Sequence, residues 1–442
     1  MEGYSVIKDE LGAELLRMDS YQAINDILTG VTLHNKQCID IVKMLYGKRS
    51  IVIYDTGTGK TLLASAVMKM LLHKYPGQLC LMIVKKDQLI QTPEKIENLS
   101  GLTTICTTAD SGFLNKHFFN QDFTNCDVLM ITEECLLNMK VMDKLYELRE
   151  RLLCIIIDEA HELNNYTNAQ SANMLKALIS RVEYVFALTA TPIVSDQIQL
   201  AKLANMLLPK EFPSASNFAR RLTSGRASIE NYPFLFINRK ASELGRTSEP
   251  RGHVVLVEPQ ANQKGCNLGG VKLFQVCKGY GAENQINALL EVISGCDGKG
   301  LIYVSQKTIV DWVIMKLNSY NIPAAVINGD VVGEVRKQII RDFADGKYKV
   351  IVTSLTTALD LDCDFVIFYE LTVEIEQMIG RAHRGLGNKD LDVYFIITED
   401  TNEVTYFLNN VVARSDIIQK ILNKKNKAVS DAAERLLTDA EC

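Results

Sequence analysis

The sequence predicts an α/β protein of two lobes, each a mainly parallel sheet flanked by helices. Three observations carry this. Short, continuous apolar runs alternate with helical patterns, which is how strands buried on both faces read. That rhythm occurs twice, on either side of a stretch with weaker periodicity at 205–285. The chain has 442 residues, more than one core usually holds at roughly 150 residues per domain.

The first lobe is expected over 1–240. "SIVIY" precedes the helical pattern "KTLLASAVMKMLLHKY", and "LCLMIV" precedes "KDQLIQTPEKIENL". The runs "DVLMIT", "LLCIII" and "VEYVFALT" complete its set of strands. Residues 241–282, which open with the turn-rich "SELGRTSEPRG", read as a linker. The second lobe is expected over 283–442. "GLIYVS" leads to "IVDWVIMKLNSY" and "AAVIN" to "VRKQIIRDFADG", followed by "KVIVTS", "DFVIFYE" and "DVYFIIT". A helical, lysine-rich tail follows.

Composition excludes several classes. No apolar run approaches the roughly 20 residues of a membrane span. The acidic residues among the apolar ones at the N-terminus argue against a leader peptide. Eleven cysteines stand singly, with no C-x-x-C pair. That fits a reducing, intracellular compartment, cytoplasmic in a bacterium or a virus-infected host cell, or nuclear. Net charge is −5, so nucleic-acid contact would need a local groove. Residues 217–253, with seven basic and three acidic side chains, are one candidate, and "KILNKKNK" is another. A solvated face is the alternative for both.

Four motifs carry chemistry. In "IVIYDTGTGKTLL", Gly57 and Gly59 let backbone N–H groups converge on phosphate oxygens, beside Thr56 and Thr58. Lys60 supplies a charge for the outer phosphates, Thr61 a hydroxyl for Mg²⁺, and the next helix points its N-terminus at the anion. Tyr54 stands where the strict pattern has its first glycine. In "LLCIIIDEAHEL", Asp158 can hold Mg²⁺ through water, and Glu159 can orient or deprotonate an attacking water. In "FALTATPI", Thr189 and Thr191 can hydrogen-bond the acidic pair and a partner element; a capping turn is the alternative. In "EQMIGRAHRGLG", Gln377, Arg381 and Arg384 fall on one helix face, and two guanidiniums suit a polyphosphate.

These motifs, in this order, resemble those of the superfamily 2 helicases and translocases. "DTGTGKT" is similar to motif I, "DEAH" to motif II, "TATP" to motif III and "QMIGRAHRGLG" to motif VI. "LHNKQCIDI" resembles the adenine-reading element, "VLMITEECL" motif Ib, "LIYVSQK" motif IV and "VIVTSLTTALDLD" motif V. "GRAHRGLG" and "FLFINRKASELG" resemble the Swi/Snf-type branch, and the compact length resembles minimal viral and phage helicases that remodel branched DNA.

The resemblance implies two RecA-like lobes with Mg-ATP held between them, and a monomer that hydrolyses ATP. Gln37 would contact the base and Asp360 the nucleotide; His161 would join Thr189 and Thr191 in coupling; Arg381 and Arg384 would reach the γ-phosphate. Lys85, Thr132 and Ser354 would touch the nucleic-acid backbone, with little sequence preference. The implied activity is an ATP-dependent DNA helicase or translocase on duplex or branched DNA, suited to branch migration or fork remodelling. An RNA helicase and an ATP-switched module acting on a protein partner are the alternatives. The chain departs from the family's usual pattern at Tyr54, at Lys85 and Lys86 in motif Ia, and at Ala358 in motif V.

Overall fold

The computed structural model describes residues 24, 27–90, 92–114, 118–163, 169–193, 198–245, 248–331, 333–354, 361–382, 390–422, 424 and 426–439. The chain divides into two compact units, Met1–Leu244 and Gly245–Cys442.

The first unit is built on a seven-stranded sheet in the order β3-β4-β2-β5-β6-β1-β7. Its strands are β1 (Arg49–Tyr54), β2 (Leu79–Val84), β3 (Thr104–Thr107), β4 (Val128–Thr132), β5 (Leu152–Ile157), β6 (Tyr184–Thr189) and β7 (Phe236–Arg239). Every pairing is parallel. β2, β4, β5 and β6 are buried along their whole lengths, which is why they read as unbroken apolar runs. Helix α1 (Asn35–Gly47) is started by a capping box of His34 and Gln37. Helix α2 (Lys60–Lys74) follows β1 through the glycine loop and buries Leu63, Val67, Met68 and Leu71. Helices α3 (Thr92–Ser100), α4 (Met139–Glu147), α5 (Ala169–Arg181), α6 (Ile198–Leu207) and α7 (Ala215–Thr223) complete the layers.

The second unit holds a six-stranded sheet in the order β10-β11-β9-β12-β13-β8. Its strands are β8 (Arg251–Val257), β9 (Gly300–Tyr303), β10 (Ala324–Ile327), β11 (Val350–Thr353), β12 (Phe365–Phe368) and β13 (Asp392–Thr398), again all parallel. Helices α8 (Gly270–Lys278), α9 (Glu283–Gly295), α10 (Lys307–Ser319), α11 (Gly333–Ala344) and α12 (Ile375–Ala382) are followed by α13 (Asn402–Tyr406), α14 (Ala413–Leu422) and α15 (Lys427–Asp439). α15 packs on the edge strand β8. Gly252 makes that possible, since a Cβ there would fall 1.8 Å from the Ala428 carbonyl oxygen.

The segment expected as a linker, 241–282, therefore contains a strand and a helix. β8 pairs with β13 over seven positions, and α8 seats Lys278 at the end of β13, its ammonium 2.9 Å from the Ile396 carbonyl and 3.1 Å from Glu403. "RGHVVLV" was hard to see as a strand because it follows a loop rich in Ser, Gly and Pro.

Candidate active site

Because the first sheet is wholly parallel, the ends of β1, β2, β4, β5 and β6 all open on one edge, where ligands bind in such folds. The glycine loop leaves β1 at that edge. Gly57 (φ 72°) and Gly59 (φ 96°) adopt left-handed backbone, which brings the loop round to the N-terminus of α2. A Cβ on Gly59 would lie 2.8 Å from Gln37 Nε2. Gln37 is buried; its Nε2 donates to the Thr58 carbonyl at 3.0 Å and its Oε1 accepts from the His34 amide at 2.9 Å. The residue expected to read a base thus braces the glycine loop in this structure. Thr56 and Thr58 are buried and Thr61 is half-buried on the first turn of α2.

Lys60 Nζ lies 3.8 Å from Glu159 Oε1. The loop after β1 and the acidic pair after β5 therefore meet, although β6 separates their strands. Asp158 accepts from Gln88 Nε2 at 2.9 Å and from the Glu159 amide at 3.0 Å. Glu159 is buried and holds left-handed backbone, φ 46° and ψ 46°, a conformation non-glycine residues keep mainly where the surroundings enforce it. His161 Nδ1 lies 2.9 Å from Thr189 Oγ1 and 3.6 Å from Glu159 Oε2. Thr189 Oγ1 also accepts from the Thr191 amide at 3.1 Å. The three residues expected in coupling are thus joined to one another and to Glu159.

A loop with two left-handed glycines, a helix N-terminus, a lysine and an adjacent carboxylate pair fits a nucleotide triphosphate with a divalent cation. Lys60 and the loop amides suit the phosphates. Thr61 and Asp158 would be oxygen donors for such a cation.

Tyr54 occupies its position for a structural reason. It is fully buried and its hydroxyl donates to Asp40 at 2.6 Å. Asp40, on α1, also accepts from Arg239 Nε and Nη2, each at 2.7 Å. Burial and the Asp40 charge push the Tyr54 phenol far above its ordinary range, while the hydrogen bond to Asp40 holds the Arg239 guanidinium firmly protonated.

Two of the residues expected to touch nucleic acid, Thr132 and Lys85, point inward here. Thr132 is fully enclosed, with its hydroxyl 3.5 Å from Cys135 Sγ. Lys85 turns inward and donates to Glu162 at 2.7 Å. Burial alone would lower its pKa, but Glu162, Glu159 and Glu133 outweigh that and hold it above the usual lysine value. Glu162 in turn sits well below the carboxylate range, through His161 first and then Lys85, despite partial burial. The basic stretch at 217–253 is also partly consumed, by Asp40 at Arg239 and by Asp390 and Asp392 at Arg251. Arg220, Arg221 and Arg226 remain exposed.

In the second unit Ser354 is half-buried just past β11, and Gln377 is buried on α12. Arg381 lies on α12, but its side chain, and all of Arg384 and Asp360, fall outside the described residues. The motifs did not single out Glu370. It is fully buried after β12 and accepts from the amides and side chains of both Ser305 and Gln306, fixing the turn after β9. Gln88, Glu133 and Glu162 were missed in the same way.

Residues 16–194 match the family described as the type III restriction enzyme res subunit, and residues 284–385 match the helicase conserved C-terminal domain. The two matched regions support the superfamily 2 helicase resemblance. The chain is 23% identical to a probable ATP-dependent RNA helicase, vasa-like, of Penaeus vannamei, over 88% of its own length and 50% of that protein. It is 28% identical to the ATP-dependent DNA helicase fml1 of Schizosaccharomyces pombe, over 35% of this chain and 18% of that one. The chain thus spans half the length of the vasa-like relative and a smaller part of fml1. Among solved structures, the Pyrococcus furiosus Hef helicase domain has a TM-score of 0.53 at 15% identity, covering 84% of this chain and 96% of that one. A variant of S. cerevisiae Dbp5 bound to RNA and ADP BeF3 has a TM-score of 0.52 at 15% identity, covering 92% and 97%. Both neighbours support two RecA-like units. Among the described residues, no helix is long and apolar enough to cross a membrane.

Proposed function

We propose that this chain is a Mg-ATP-driven translocase or helicase acting on duplex or branched DNA, of the Swi/Snf-like branch, with branch migration or fork remodelling as its use. One observation carries the motor reading. Lys60 from the loop after β1 and Glu159 from the turn after β5 lie 3.8 Å apart, and His161 ties that turn to Thr189 at 2.9 Å. The edge that would hold ATP is thereby wired to the turn that follows β6.

In this reading Lys60 and the amides of the glycine loop bind and orient the outer phosphates. Glu159 holds the attacking water and takes its proton. Mg²⁺, when bound between Thr61 and Asp158, would supply charge stabilisation at the phosphates. Gln377, Arg381 and Arg384 are the second unit's candidates for a role in hydrolysis. Asp360 and Gln37 would line the nucleotide.

The spelling "GRAHRGLG" and the similarity to fml1 support DNA. A second reading, RNA, is favoured by the coverage of the vasa-like relative. The deciding test is steady-state ATP hydrolysis at one low salt concentration with no nucleic acid, linear duplex DNA, a four-way DNA junction, single-stranded DNA and RNA. Severalfold stimulation by duplex or junction is expected. Stimulation by RNA alone would move the assignment to RNA. A rate unchanged by all four would overturn the motor reading and favour a module that acts on a protein partner.

A further inference from the structure

We propose that Lys85 is a positioning residue that couples nucleic-acid engagement at the turn after β4 to the Asp158–Glu159 turn, by sharing its ammonium between Glu162 and Glu133. This rests on the proposed function, in which one sheet edge holds ATP and meets nucleic acid.

The placement comes from the strand order. β2 lies between β4 and β5, so Lys85, the residue after β2, stands between the turns that follow those two strands. On the β5 side it is bound to Glu162 at 2.7 Å. Glu162 lies 3.5 Å from His161 Nε2, and the other ring nitrogen of His161 reaches Thr189 and Glu159. Lys85 also fixes this turn through its backbone: its amide donates to Gln88 Oε1 at 3.0 Å, and Gln88 donates to Asp158.

On the β4 side stands Glu133, in the first turn after Thr132. It is 2% exposed, and its Oε1 has no hydrogen-bond donor. A buried carboxylate oxygen without a donor is costly and uncommon, and points to a partner supplied in another state. Lys85 stands on the neighbouring strand end, and its charge opposes the effect of burial on Glu133. An ammonium carries three donors, so Lys85 can serve Glu133 as well as Glu162, or pass from one to the other. Either movement shifts Glu162 relative to His161, and His161 sits on Glu159. Lys85 is also one of the positions where this chain departs from its family's usual motif.

The test is ATP hydrolysis by the full chain, titrated with linear duplex DNA, single-stranded DNA and single-stranded RNA. Variants are Glu133→Leu, Lys85→Met and Lys85→Arg. Glu133→Leu, which leaves no oxygen to accept from Lys85, should leave the rate without nucleic acid within twofold of wild type. In both Glu133→Leu and Lys85→Met, the rate at saturating nucleic acid should fall at least fivefold, with the half-saturating concentration unchanged within twofold. Lys85→Arg, which keeps the charge, should retain more than half of the stimulation. Stimulated rates within twofold of wild type in both variants would overturn the coupling. So would a loss confined to the half-saturating concentration, which marks a direct contact, or a Lys85→Arg as impaired as Lys85→Met. A wild-type enzyme that no nucleic acid stimulates would instead remove the proposed function, and the coupling with it.

Discussion

The Tyr54–Asp40–Arg239 network gives a prediction whose size follows from the geometry. Asp40 is fully buried and accepts three short hydrogen bonds, two from one guanidinium at 2.7 Å and one from Tyr54 at 2.6 Å. Arg239→Met removes the only cation hydrogen-bonded to that carboxylate among the described residues. Removing one partner of a buried ion pair costs about 3–5 kcal/mol. For a unit of this size, at roughly 2–4 °C per kcal/mol, that is a fall in Tm of about 6–20 °C. Tyr54→Phe removes one hydrogen bond and leaves the pair intact, which should cost about 1.5–3 kcal/mol. Asp40→Asn combined with Arg239→Met removes both charges and should cost less than Arg239→Met alone. Urea unfolding followed by far-ultraviolet circular dichroism ranks the three. Fluorescence of Trp312, the sole tryptophan and a second-unit residue, serves as a control. An Arg239→Met variant destabilised by less than about 1 kcal/mol, or less than Tyr54→Phe, would refute the buried-pair argument.

Three further outcomes are expected. Glu159→Gln should lower kcat by at least about 10²-fold, the usual scale for a general base, while a fluorescent ATP analogue still binds within a few-fold; near-normal turnover would remove Glu159 from the chemistry. Gly59→Ala should weaken nucleotide binding at least tenfold, because the position has φ 96° and the new Cβ would meet Gln37 Nε2 at 2.8 Å; unchanged binding by calorimetry would show that the loop tolerates another shape. Burial pushes the Glu133 carboxyl up to about 8, against Lys85, with Glu162, Glu134 and Glu159 adding to the rise. Its folded pKa exceeds the unfolded value of roughly 4.3, so its contribution to stability is present at low pH and is lost as pH rises towards 8. Glu133→Gln should therefore gain stability relative to wild type between pH 5 and about 9, and a difference that stayed flat across that window would contradict the assignment.

Local chemistry was legible in the sequence, and spatial pairing was not. Continuous apolar strands gave the parallel sheets, because burial on both faces leaves no polar alternation. The loop at 55–61 and the pair Asp158–Glu159 could be read because each is a short run whose function depends on its own backbone. Lys85 and Glu162 are 77 residues apart. Their ion pair depends on β2 and β5 being neighbours, and the order β3-β4-β2-β5-β6-β1-β7 is not written in any window of sequence. The setting of Thr132 was hidden for a related reason. A strand-end threonine reads the same whether it faces solvent or a cysteine three residues on, and here it faces Cys135.

Tyr54 shows how a motif mismatch can be structural. It is the last residue of β1 and pairs in register with Arg239 of β7. The left-handed backbone of the loop begins at Gly57, so position 54 has no need of a glycine's freedom. Its side chain is free to serve the core, and it binds the acid that also holds Arg239. The strand entering the phosphate loop is thereby fastened to α1, which carries Gln37, and to the edge strand β7. Gln37 then reaches the same loop from the other side through Thr58. The departure from the pattern therefore reinforces the loop at its root, and the glycines that must stay glycine are the two whose backbone is left-handed beside α2.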